Sequence, residues 1–88
     1  MNIMLETFEK NKSEIYELIS THGKYDFDLC KKVKEFLYLE GVELNSVTPV
    51  YSTAESAITG IECVSSNNGR KYALFLTKNS YTFGQQKL

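Results

Sequence analysis

The chain has 88 residues and a mass of 10.1 kDa, and 42% of its residues are hydrophobic and 24% are charged. This length suits one domain and excludes large multi-site enzymes and repeat arrays, while the composition is that of a globular chain and not of a disordered one. The net charge of −1 excludes the strongly basic field that is typical of general nucleic-acid-binding proteins. We therefore expect a single domain over residues 1–88.

The charge is unevenly distributed along the chain. Residues 1–44 contain six basic and nine acidic side chains, a net charge of −3, whereas residues 45–88 contain four basic and two acidic ones, a net charge of +2. Lys and Asn are abundant and Arg70 is the one arginine. This bias is typical of AT-rich genomes, such as those of many Gram-positive bacteria and phages.

The sequence predicts neither a disulfide framework nor a targeting segment. Cys30 and Cys63 lie at apolar positions without a CxxC neighbour, so we interpret them as free, buried thiols of a reducing compartment. No apolar run approaches the roughly 20 residues of a membrane helix, and the start of the chain lacks the order of a signal peptide. We expect a cytoplasmic protein that does not associate with membranes.

Two amphipathic helices are predicted in the first half of the chain. Apolar residues from Met4 to Ile19 recur at helical spacing and predict a helix over about 3–21, interrupted in its apolar stripe at Asn11 and ended before Gly23. A second helix over about 26–40 begins at Asp26 as its N-cap. Its apolar stripe consists of Leu29, Cys30, Val33, Phe36 and Leu37.

The second half of the chain has the pattern of antiparallel strands. We predict strands over about 46–52, 57–65, 70–78 and 81–83, followed by a frayed tail over 84–88. Pro49 cannot donate a ladder hydrogen bond, which favours an edge position for the first strand. Asn68-Gly69 predicts a two-residue type I′ turn. The predicted fold is therefore α+β (α-α-β-β-β-β), with an N-terminal helical hairpin packed on a C-terminal antiparallel β-meander of three to four strands.

The predicted turn fixes which residues share a face of the sheet, because directly opposed residues point to the same side. One face is uniformly apolar and is predicted to be the core: Ile61, Cys63, Tyr72, Leu74, Leu76 and Phe83. The second face is mixed: Ile58, Gly60, Glu62, Val64, Ala73, Phe75 and Thr77. We expect it to be open, covered by one helix, or occupied by a second copy or a partner.

Nothing in the sequence forms a recognisable catalytic or metal-binding constellation. His22 lies at the predicted end of the first helix, where a histidine commonly interacts with the free carbonyl groups. One histidine and two separated cysteines do not supply a zinc site, and nothing local marks either thiol as an activated nucleophile. The glycines are too scattered for a phosphate-binding loop. We expect a protein that is not an enzyme and has no cofactor or metal.

The favoured hypothesis is protein binding through the second face of the sheet. The predicted contact residues are Ile58, Glu62, Val64 and Phe75, extended by Tyr51. Apolar patches that a small domain leaves uncovered usually mark interfaces, and the partner could be another protein or a second copy in a homodimer. The size and the absence of catalytic groups suit an inhibitor or adaptor, including the small phage proteins that block host machinery.

The alternative hypothesis is nucleic-acid binding through the C-terminal hairpin. Arg70, Lys71 and Lys78 flank the aromatic residues Tyr72, Phe75 and Tyr81 in the sequence. Single-stranded nucleic acids bind sheets by stacking on aromatic rings beside cations. The two hypotheses differ in salt dependence, because only nucleic-acid binding should weaken steeply as the salt concentration rises.

Overall fold

The computed structural model describes residues 2–87, and it describes the side chains of residues 2–85. The described part of the chain contains three helices followed by one four-stranded antiparallel sheet, which confirms the α+β class. The elements are α1 (Ile3–Lys10), α2 (Lys12–His22), α3 (Phe27–Leu39), β1 (Ser46–Ser52), β2 (Ala57–Asn67), β3 (Arg70–Leu76) and β4 (Tyr81–Lys87). None of the described helices is long and apolar enough to cross a membrane.

The single helix predicted over residues 3–21 is instead two helices that meet at Asn11. The backbone of Asn11 leaves the helical region, with φ −113° and ψ 22°. Its side-chain Nδ2 donates to the carbonyl oxygen of Thr7 at 3.0 Å, which satisfies the last turn of α1. The break therefore coincides with the interruption of the apolar stripe. Phe8 before the break and Ile15 after it are both fully buried in the same core.

The second predicted helix is confirmed as α3, and its junction with α2 is held by defined caps. Gly23 adopts the left-handed conformation with φ 86° at the end of α2. Asp26 is the N-cap of α3, and its Oδ1 accepts hydrogen bonds from the Leu29 backbone N–H at 2.9 Å and the His22 Nε2 at 2.8 Å. These contacts connect the end of one helix to the start of the next.

The strand order is β1-β2-β3-β4, and the predicted hairpin register is confirmed. Asn68 and Gly69 have φ values of 54° and 73°, as a type I′ turn requires. β1 is an edge strand, which accommodates Pro49. β2 continues beyond the predicted boundary to Asn67, whereas β3 ends before Lys78.

The predicted tail is wrong for most of its length. Residues 84–87 extend β4 because they pair with the start of β3, from Ala73↔Gly84 to Arg70↔Lys87, while Leu88 lies outside the described residues. At the other end of β4, the Tyr81 ring packs on Phe8 with a centroid distance of 4.8 Å. The Tyr81 hydroxyl donates to Glu9 of α1. Pairing and packing therefore form a strand where the sequence alone has weak strand propensity.

The helices cover one face of the sheet, which we call the inner sheet face. It is built from the predicted core residues Ile61, Cys63, Tyr72, Leu74, Leu76 and Phe83. Ile61, Cys63, Leu74 and Leu76 are fully buried, and Tyr72 and Phe83 are half-buried and packed against the same cluster. From the helices, this core takes Met4, Phe8, Ile15, Ile19, Leu29, Cys30, Val33 and Leu37.

Candidate interaction surface

The opposite side of the sheet has an apolar centre and a polar margin. We call this surface the outer sheet face and define it by Val50, Gly60, Glu62, Val64, Ala73 and Phe75, which the strand register places on one side. None of these residues belongs to the core cluster that the helices cover. Exposed residues surround them in the register: Thr48, Ser66, Lys71 and Thr82. An apolar centre with a polar rim is the general arrangement of protein–protein interfaces.

Phe75 lies across the backbone of β2 at Gly60. A Cβ atom placed on Gly60 would lie 2.7 Å from Cζ of Phe75 and 2.4 Å from the carbonyl oxygen of Leu76. The ring therefore occupies the space that a side chain at position 60 would fill, and it leaves Gly60 buried and Phe75 half-buried. Position 60 must therefore be a glycine for the ring to occupy this place.

Glu62 places the one carboxylate in the middle of the outer sheet face. It stands between Thr48 on β1 and Phe75 on β3 in the strand register. The side chain is half-buried, and no salt bridge among the described side chains includes it. A half-buried carboxylate with apolar neighbours attracts a cation more strongly than a fully hydrated one does, because the effective dielectric constant around it is lower.

Tyr51 and Ile58 lie at the hairpin end of β1 and β2, beyond an irregularity in the pairing. The register shifts between Val50 and Tyr51, so Tyr51 opposes Ile58 while Val50 opposes Gly60. Both side chains project into solvent, with exposures of 60% for Tyr51 and 43% for Ile58. The structure thus makes neighbours of these two predicted contact residues. Val64, by contrast, is only 8% exposed, so it contributes to the floor of the face.

The residues of the predicted basic cluster do not form one patch. Arg70 and Lys71 are consecutive in β3, so their side chains point to opposite faces of the sheet. Lys78 lies past the other end of β3, a strand about 20 Å long at the usual rise per residue, and its backbone N–H donates to the Tyr25 hydroxyl at 2.9 Å. Phe75 shares a face with Lys71 but not with Arg70.

The histidine and cysteine side chains are engaged in a helix cap or buried in the core. His22 is engaged with the Asp26 carboxylate that caps α3. Cys30 and Cys63 are free and buried, and burial raises the pKa of the Cys63 thiol to about 12. A nucleophilic cysteine needs the opposite shift. Within residues 2–87 no cluster of three or more metal-ligating side chains was found.

Two further surfaces were not anticipated from the sequence. Phe27, Tyr38 and Leu39 of α3 are 73%, 63% and 76% exposed, and Tyr38 lines an open groove of about 350 Å³ beside the segment that leads to β1. The sequence did contain a sign of the first surface, because the apolar residues at the end of α3 continue beyond the helical stripe that packs in the core. The second surface is a cleft of about 330 Å³ between the start of α1 and the β2–β3 turn.

Comparison of the chain with protein families, with curated proteins and with solved structures gives no significant match.

Proposed function

We propose that the protein is a small binding module of the inhibitor or adaptor type, which docks on a partner protein through the outer sheet face. The observation that carries this proposal is that the face has an apolar centre and a polar rim, yet none of its residues joins the core beneath the helices. Tyr51 and Ile58 are exposed and paired with each other at the end of β1 and β2, beyond this face. Aromatic residues in the centre of an apolar patch commonly supply most of the binding energy.

The chemistry of the face specifies the kind of partner. The Glu62 carboxylate would pair with a Lys or Arg of the partner, and Phe75 and Val50 would contact apolar side chains around that cation. A symmetric contact with a second copy, centred on Glu62, would bring the two Glu62 carboxylates together across the two-fold axis, which electrostatic complementarity disfavours. The proposed occupant is therefore a different protein with a basic group inside an apolar patch.

The separation of Arg70, Lys71 and Lys78 argues against a continuous nucleic-acid-binding groove on this face. Binding that depends mainly on apolar contact responds weakly to salt, whereas phosphate contacts are lost steeply as the salt concentration rises. We expect the complex to persist at high salt and after nuclease treatment.

The test is affinity capture from a lysate of the source cells, read by quantitative mass spectrometry, with four variants beside the unaltered chain. Phe75→Ala and Glu62→Lys alter the outer sheet face. Phe27→Ala and Glu40→Lys are the matched controls, because Phe27 in α3 and Glu40 at the C-terminal cap of α3 are exposed and neither belongs to the outer sheet face. Circular dichroism establishes that every variant is folded before use.

We expect at least one protein to be captured by the unaltered chain and by both control variants, and to be lost with Phe75→Ala and with Glu62→Lys. The proposal is wrong if the captured proteins are the same for all five chains. It is also wrong if nuclease treatment or moderate salt removes them, since that outcome indicates recruitment through nucleic acid.

A further inference from the structure

The cleft at the β2–β3 turn combines the elements of a small-ligand site at a place unrelated to the outer sheet face. It has a volume of about 330 Å³ and lies between the first turn of α1 and the end of the sheet. This volume is at the lower end of the range for pockets that hold small organic ligands. Aromatic and amide side chains line most of it: Asn2, Asn67, Asn68, Tyr72, Phe83 and Gln85.

Two aromatic rings form one wall of the cleft. Tyr72 and Phe83 are stacked, with a centroid distance of 6.0 Å and an angle of 17° between the ring planes. Both are half-buried and pack against the core on their inner side, so their positions are fixed before any ligand arrives. A fixed aromatic wall is suited to a flat heterocycle, because every nucleobase has a π-face that stacks on such rings.

The amides around this wall are free to form hydrogen bonds with a ligand. Asn2 uses its Oδ1 to cap α1, accepting from the Met4 and Leu5 backbone N–H groups at 2.9 and 3.2 Å, which leaves its Nδ2 as a donor. The side chains of Asn67, Asn68 and Gln85 are exposed. None of the three takes part in a hydrogen bond among the described side chains.

The charge beside the cleft is positive. Arg70 opposes Asn67 in the register and, two positions before Tyr72, lies on the same side of β3 as that ring. Its backbone partner on β4 is Lys87. The residues that line the cleft include no carboxylate. Arg70 does not line the cleft, but it lies on the same side of β3 as Tyr72, where its guanidinium can pair with the phosphate of a nucleotide. A neutral sugar would gain nothing from this charge.

We propose that this cleft binds a nucleotide, with the base on the Tyr72–Phe83 wall, the amides on the edge of the base and Arg70 on the phosphate. Adenine is the base to try first, because Asn and Gln side chains bind its N6 and N7 edge. The same chemistry is found in a free mononucleotide and in one unit of a single strand.

The test is titration of the ¹⁵N-labelled chain, followed by NMR, with adenosine monophosphate, adenosine, a short single-stranded oligoadenylate and maltose as separate probes. We expect the nucleotide and the oligoadenylate to shift the signals of Asn68, Tyr72 and Gln85, including the side-chain amides. Equal affinities for the two probes identify a free nucleotide as the ligand. Tighter binding of the oligoadenylate by about tenfold or more identifies a single strand, because adjacent units add phosphate contacts.

Arg70→Gln and Lys71→Gln form a matched pair, since the two neighbouring cations lie on opposite faces of β3. We expect Arg70→Gln to weaken binding of adenosine monophosphate about tenfold, as for loss of a charge-assisted hydrogen bond, and to leave adenosine binding unchanged. Lys71→Gln should leave both unchanged. The proposal is overturned if neither nucleotide probe shifts the cleft signals, if maltose alone shifts them, or if the two variants weaken binding equally.

Discussion

Gly60 is the residue on which the geometry of the outer sheet face depends most directly. Any side chain at this position meets both the Phe75 ring and the Leu76 carbonyl oxygen, and the backbone oxygen cannot move aside as a flexible side chain could. Gly84 lies on the neighbouring part of the same sheet and has no atom within 4 Å of the corresponding Cβ position. The two glycines therefore form a natural comparison.

We expect Gly60→Ala to lower the free energy of unfolding by about 1 to 3 kcal/mol, the usual cost of overpacking. Gly84→Ala should change it by less than about 0.5 kcal/mol, as is normal for an exposed position. Urea unfolding of both variants measures the difference. Equal effects would mean that the ring is not held over Gly60.

The buried thiol of Cys63 makes stability depend on alkaline pH. Burial raises its pKa to about 12, so the folded state holds the proton more tightly than the unfolded state, in which the pKa is about 8.5. This contribution is fully present below pH about 8.5 and is lost as the pH rises towards 12. At about 1.4 kcal/mol for each unit of pKa, the loss is on the order of 5 kcal/mol.

We expect the stability advantage of the unaltered chain over Cys63→Ala to shrink between pH about 9 and about 12, where the thiol ionises only in the unfolded state. Urea unfolding under reducing conditions across this range measures it. A constant difference between the two chains would show that the thiol is accessible to water.

At the scale of single elements, β3 presents two different environments in alternate residues. Leu74 is fully buried in the core, while its neighbour Phe75 is half-buried on the outer sheet face. We expect Leu74→Ala to lower the free energy of unfolding by about 2 to 5 kcal/mol. Phe75→Ala should cost less, about 1 to 2 kcal/mol, because part of the Phe75 ring remains in contact with water whereas Leu74 has no exposed surface. If Phe75→Ala costs as much in urea unfolding, the outer sheet face belongs to the core.

The junction between α2 and α3 should respond to acid through Asp26. The Leu29 backbone N–H, with help from His22, holds the pKa of the Asp26 carboxyl below its usual value. A lowered pKa contributes stability above the pKa of the unfolded chain, about 3.9, and this contribution is lost as the pH falls through the folded value. Asp26→Asn keeps an N-cap residue but removes the titration.

We expect the unaltered chain to lose stability relative to Asp26→Asn as the pH falls from about 5 to about 2. Urea unfolding of the two chains at matched pH values measures it, and every other carboxylate serves as an internal control because both chains contain it. Parallel curves would contradict the role assigned to this cap.

For the whole molecule, periodicity and turn chemistry were sufficient to predict the class of fold. The spacing around Leu29 and Val33 predicted α3, and Asn68-Gly69 predicted the hairpin register, because both signals are local. The break at Asn11 was not predicted, because the interruption of the apolar stripe marks the place but does not determine the backbone angles that end α1 there. β4 was underestimated because its polar residues are held by pairing with β3, and such pairing overrides strand propensity.

The candidate surfaces were also predictable only as far as local signals determine them. Alternation along β2 and β3 was enough to place Glu62, Val64 and Phe75 on one face. The packing of Phe75 on Gly60 depends on a diagonal contact between strands, which alternation does not describe. The cleft at the β2–β3 turn is lined by both Asn2 and Gln85, and residues so far apart in the chain are brought together only by the complete fold.

Docking on a different protein requires the outer sheet face to be free, and light scattering over a concentration series tests this most directly. We expect a mass of 10.1 kDa at every concentration, because two copies of Glu62 oppose a symmetric contact. A doubled mass that returns to the monomer value in Phe75→Ala, with Phe27→Ala still dimeric, would contradict the account, since the chain would then cover this face with a second copy of itself.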